Sequence, residues 1–229
     1  MKAETDLRLV RLLQLASPAL PVGAYSYSQG LAAAVEKELV RDRPTAAEWI
    51  GDMLEHSVAR MEAPVMLRLI AAWRANDFTA VANWNALFLA SRESAELRAE
   101  TVQMGYSLRK LRMELEVTNE EARAHLARLE EIAFPTAFAS AVAQWQILAE
   151  PALVAYLWAW LENQVMAAMK VVPLGQTDGQ RLLLTLGARL GAIAAGAALL
   201  EDDQLGSFAP GLALLSSHHE TQYSRLFRS

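Results

Sequence analysis

The 229-residue chain is predicted to be all-α on three observations. Apolar residues recur at the helical period along almost its whole length, strict two-residue alternation is almost absent, and capping residues and prolines divide the apolar stripes at helix-length intervals. Connections are short, and no fixed-period repeat or low-complexity linker occurs. One compact domain of about nine or ten helices is therefore expected over residues 1–200, followed by a C-terminal arm over residues 201–229.

The elements follow in order. A first helix carries Leu12, Leu13 and Leu15 and must stop at Pro18 and Pro21, which fix φ and lack an amide donor. A shaped loop, PVGAYSYSQG, follows, with Gly23 free to take backbone angles closed to other residues. Ser26 with Gln29 reads as a capping box opening the next helix, as do Thr45 with Glu48 and Thr118 with Glu121. Asn76 or Asp77 precedes another apolar stripe, and Pro135 and Pro151 fit first-turn positions. Pro173 ends a long helix, after which Thr177 or Asp178 is expected to cap the next. Alanine and glycine in Gly191–Leu200 (GAIAAGAALL) suit close helix packing. Only eleven uncharged residues separate Arg189 from Glu201, and Glu162 interrupts the run from Pro151 to Lys170. Both fall short of the roughly 20 residues that span a bilayer. No membrane association is expected.

Composition narrows the function. The net charge is −5 and no basic patch appears, which argues against nucleic acid as a partner. The absence of cysteine removes disulfides, thiolate nucleophiles and zinc fingers, and the start MKAETDLRLV lacks a signal-peptide core, so the expected location is the cytoplasm. No G-x-S-x-G elbow, H-E-x-x-H helix or G-x-x-x-x-G-K-[ST] loop is present, and no cofactor is expected. His56 and His125 stand alone on helices. His218 and His219 beside Glu220 are weak candidates for a divalent ion such as nickel, which imidazole suits.

Two stretches look like contact surfaces. Around Pro173, Lys170 lies in the last turn of one helix, and Gln176, Asp178 and Gln180 are expected at a polar corner before the next. At the C-terminus, Tyr223, Leu226 and Phe227 are costly to leave in water and are flanked by the cations Arg225 and Arg228. A tail that orders on docking fits that content. The competing class is a helical metal or small-ligand binder in which Trp73, Trp84, Trp145, Trp158 and Trp160 line a pocket, although Trp158 and Trp160 cannot share one helix face. A third is an enzyme drawing Glu and His from separate helices.

Four blocks, taken together and in this order, resemble the UreF family of urease accessory proteins: LLQLASPALPVGAYSYSQGL (12–31), SRESAELRAETVQMGYSL (91–108), KVVPLGQTDGQRLL (170–183) and HETQYSRLFRS (219–229). One departure is Ala32, where many members carry glutamate; Glu36 lies one helical turn further. The resemblance implies an all-helical, non-enzymatic chaperone that dimerises and helps assemble the nickel centre of urease. Its implied partners are the UreD scaffold (also called UreH), the GTPase UreG, which it would regulate, and apo-urease. The tail residues Tyr223, Arg225, Leu226, Phe227 and Arg228 match the segment that docks on UreD and shapes the UreG-binding face. Lys170, Gln176, Asp178 and Gln180 match the region tied to GTPase regulation, and Tyr25 and Ser26 belong to the first shared loop.

Overall fold

A computed structural model describes residues 2–115, 120–219 and 226–228. Among these the fold is helical, without strands. The first helix, α1 (Lys2–Ala16), ends two residues before Pro18. A 3₁₀ turn (Ala24–Ser26) and the six-residue α2 (Leu31–Glu36) follow. One continuous rod then runs through α3 (Arg43–Met53), a π-wound segment (Leu54–Glu62) and α4 (Ala63–Ala75). Next come α5 (Phe78–Ala90), α6 (Ala95–Glu114), α7 (Glu120–Arg128) and α8 (Phe134–Gln144). The long α9 (Ala149–Val171) leads into α10 (Gln176–Gly187) and α11 (Leu190–Ala197), and α12 (Pro210–His219) closes the described order. Counting the rod once and setting α2 aside leaves ten helices among the described residues, within the number expected.

The centre of the core lies between α4 and α8, flanked by α5 and α6, while α9 carries α1, α2, α10 and α11 on its surface. Phe138, Leu69, Ile70 and Leu153 are wholly buried there. Helix α8 is apolar and alanine-rich, which lets its neighbours approach closely. Its N-cap, Ala133, has no capping side chain. The free amides at that end are met instead by other helices: Asn85 Oδ1 of α5 accepts from Ala133 N at 2.9 Å, and Thr101 Oγ1 of α6 accepts from Phe134 N at 3.0 Å.

Local start signals are partly redistributed. Pro135 and Pro151 sit in the first turns of α8 and α9, and Pro173 follows the end of α9. Asp77 caps α5 by accepting from Ala80 N at 2.9 Å, while Asn76 takes left-handed φ of 53° to end α4. Ser26, however, ends a 3₁₀ turn rather than capping α2; the cap is Gly30 at φ 79°, following Gln29 at φ 50°. Two successive left-handed residues break the helix path that a Ser26–Gln29 box needs. Thr45 is the third residue of α3 and completes a box opened by Asp42. Gly175, not Thr177 or Asp178, precedes α10. Thr118 lies outside the described residues. No helix among the described residues is long and apolar enough to cross a membrane.

Candidate functional site

Three distant stretches meet beside the C-terminal end of α9. Lys170, in its last turn, places Nζ 3.5 Å from the Tyr25 carbonyl oxygen, 5.9 Å from the Tyr25 ring centroid and 5.4 Å from that of Phe227. Such a cation between two aromatic faces is attracted to both. Arg228 N donates to Ser26 O at 2.8 Å, so the C-terminal segment is stitched to the first loop by its backbone, while the Phe227 ring meets Lys170 of α9. Phe227 is buried, whereas Tyr25 and Leu226 are 65% and 68% exposed, and Lys170 and Arg228 are also exposed. The result is a surface of one aromatic ring, one leucine and two cations around a buried phenylalanine anchor.

Beside it, Arg228 bonds to the Tyr27 hydroxyl; burial, more than that bond, sets the phenol's pKa, raising it above the usual value. Leu212 of α12 packs against the loop from the other side, where a Cβ on Gly30 would meet its Cδ1 at 3.0 Å. The positive φ favours glycine at position 30, and the close approach leaves little room for a Cβ.

Beneath the loop lies a cavity of about 400 Å³ whose lining includes Tyr25 and Lys170, so it reaches the same surface. Its polar groups form two clusters. Gln29 donates from Nε2 to Glu100 at 2.8 Å and accepts at Oε1 from Trp160 Nε1 at 2.8 Å and Gln164 Nε2 at 3.4 Å. Tyr156 donates to Glu62, whose other oxygen lies 3.6 Å from Arg92. Burial first, and the Glu62 carboxylate next, push the Tyr156 phenol well above its ordinary pKa, so it remains a donor. At the rim, burial raises the Glu162 carboxyl.

The residues expected at the polar corner separate. Lys170 turns to Tyr25 and Phe227, but Asp178 lies in the first turn of α10, 3.2 Å from Arg181 and 3.4 Å from Arg43 of α3. Its carboxylate ties two helices together, leaving Gln176 and Gln180 exposed. Gly179 is buried against α9, where a Cβ would meet Met169 Sδ at 2.3 Å. Tyr223 and Arg225 lie outside the described residues, as do Glu220 and the side chains of His218 and His219. No group of three or more metal-ligating side chains forms among the described residues. Of the five tryptophans weighed as a pocket, only Trp160 lines the cavity; Trp73 and Trp145 are buried elsewhere and Trp158 is 36% exposed. Sequence reasoning missed Glu62, Arg92 and Tyr156; Pro64 inside a helical stretch is a local sign near Glu62, and Arg92 and Tyr156 come from other parts of the chain.

Fold and site together define an all-α protein with one composite surface assembled from its first loop, the end of α9 and its C-terminal segment. The profile of the UreF family matches residues 40–187. The chain is 59% identical to the urease accessory protein UreF of Azoarcus sp. (strain BH72), over 97% of this chain and 96% of that one. Identity to the protein of the same name is 54% in Dechloromonas aromatica (strain RCB), over 99% and 100% of the two chains, and 52% in Janthinobacterium sp. (strain Marseille), over 96% and 98%. The chain therefore belongs to the UreF family of urease accessory proteins.

Proposed function

We propose that the protein is a non-enzymatic adaptor for nickel insertion into urease, holding a UreD (UreH) scaffold and the GTPase UreG together on apo-urease and regulating GTP hydrolysis by UreG in the cytoplasm. The observation that carries this reading is the convergence of Tyr25, Ser26, Lys170, Leu226, Phe227 and Arg228 on one surface. An exposed aromatic and leucine ringed by cations suit an interface core with a partner's carboxylates at its rim. Tyr223 and Arg225 would extend that surface, and Gln176, Asp178 and Gln180 would form a second contact on α10. A homodimer is part of the reading: Leu9, Val10 and Leu13 leave an exposed apolar stripe on α1.

The test compares the full chain with one ending at Ser217 in co-purification with the UreD and UreG counterparts. The full chain is expected to form a stable complex and the shortened chain to lose UreD while remaining helical by circular dichroism. Retention of UreD by the shortened chain overturns the docking role of the C-terminus.

A further inference from the structure

The rod over residues 43–75 does not keep one winding. Pro64, near the start of α4, has no N–H to give the Arg60 carbonyl, which an α-helix requires. The nine residues Leu54–Glu62 wind as a π-helix instead, with Ala63 N bonded to Val58 O, five residues back. Two of the segment's carbonyls are taken by another part of the chain. Gly206 N donates to Arg60 O at 3.2 Å and Phe208 N to His56 O at 2.9 Å, while the Ser207 and Ser57 hydroxyls lie 3.1 Å apart. Residues 205–208 thus form a strap laid along the π-wound stretch.

The strap is fastened at both ends. Upstream, Arg68 Nη2 donates to Leu200 O at 2.7 Å. Downstream, α12 buries Leu212 and Leu215. The same nine residues also face the cavity, through Ser57, Val58 and Glu62. Glu62 accepts from Tyr156 there and pairs with Arg92.

We propose that the strap and the π-wound segment form one two-state device, linking the seating of the C-terminal arm to the position of Glu62 in the cavity. With the strap seated, its N–H groups hold the His56 and Arg60 carbonyls and the π winding persists. With the strap released, the Arg60 N–H competes for His56 O and the segment moves toward α winding. Each residue by which the winding changes turns its neighbours by about 100°, enough to carry Glu62 away from Tyr156 and Arg92. Because coupling is reciprocal, whatever holds Glu62 in place also holds the strap. The device acts within the isolated chain, so it stands or falls separately from the adaptor reading.

The experiment is amide hydrogen exchange on the full-length protein alone, read at Gly206 and Phe208 against α8 amides as an internal standard. Tyr156→Phe removes a hydroxyl that makes no contact with the strap. It is expected to speed exchange at both strap amides about tenfold, within the range usual for coupled sites, and to leave α8 unchanged. Pro64→Ala restores the amide donor at position 64 and is expected to do the same while lowering the Tyr156 phenol pKa. Unchanged strap exchange in a folded Tyr156→Phe variant overturns the proposal. If that variant does not fold, Pro64→Ala decides, and unchanged or slower strap exchange there overturns it.

Discussion

Gln29 shows how much a single residue carries in this protein. Its left-handed φ of 50° turns the amide inward, where Trp160, Gln164 and Glu100 share it. Buried polar groups of this kind are costly when left unpaired, so the loop conformation and the cavity network hold each other in place. His125 is a second case. It stacks on Phe78 with ring centroids 4.4 Å apart, meets Trp73 edge-on at 5.4 Å, and buries Nε2 without a hydrogen-bond partner among the described residues. Burial first, and Arg128 next, hold its pKa below the ordinary value. The unfolded chain therefore takes up a proton more readily than the folded one. Stability associated with the neutral ring is complete above about pH 6.5 and is lost as pH falls through that value toward the folded pKa. His125→Phe is expected to lose less thermal midpoint than the parent between pH 7.5 and pH 5.5. An equal loss in scanning calorimetry would remove His125 as the cause.

At the scale of elements, α6 and α8 depend on backbone approaching backbone. A Cβ on Gly105 of α6 would lie 2.0 Å from the Ile132 carbonyl oxygen, and that oxygen cannot move without displacing the start of α8. Gly105→Ala is expected to destabilise the fold by about 3 kcal/mol, near the upper end of overpacking costs, because the backbone itself must shift. Urea unfolding measures this; a change under about 1 kcal/mol would mean that the two helices separate easily. Helices capped by their own neighbours in sequence were readable from residue spacing, as at Asp77 and in the proline-led starts of α8 and α9. The caps of α8 were not, because Asn85 and Thr101 lie on other helices. The π winding of 54–62 was also hidden. Pro64 marks the place, but the strap that accommodates it lies more than 140 residues further on.

For the whole molecule, the decisive contact is that between the two ends of the chain. Among the described residues after 200, Gly206, Phe208, Leu212 and Phe227 meet the helical body at Arg60, His56, Gly30 and Lys170. Lys170 occupies the junction of the first loop, α9 and the C-terminal segment, held by Tyr25 and Phe227 and with no acidic partner among the described residues. Lys170→Ala is expected to leave the helical fold and its thermal midpoint nearly intact, as exposed substitutions usually do, and to change GTP turnover by UreG within the assembled complex. Turnover and urease activation equal to the parent would take Lys170 out of the contact surface. The Gln176, Asp178 and Gln180 group would then act apart from it, since Asp178 is directed to Arg43 on another face.

Residue order alone sets the helical class, many of the places where helices start and stop, and the family to which the chain belongs. The class and the helix ends rest on residues within a few positions of one another, as periodic apolar faces, caps and prolines, and the family rests on four blocks in a fixed order along the chain. Tertiary structure alone decided that Lys170 faces Tyr25 and Phe227 rather than Asp178, that Asn85 serves α8, and that Glu62 reaches Tyr156 across the cavity. Those pairings join residues 48 to 145 positions apart. They arise only once the helices have packed, because local chemistry sets the path of each segment and burial of the shared core chooses which segments meet.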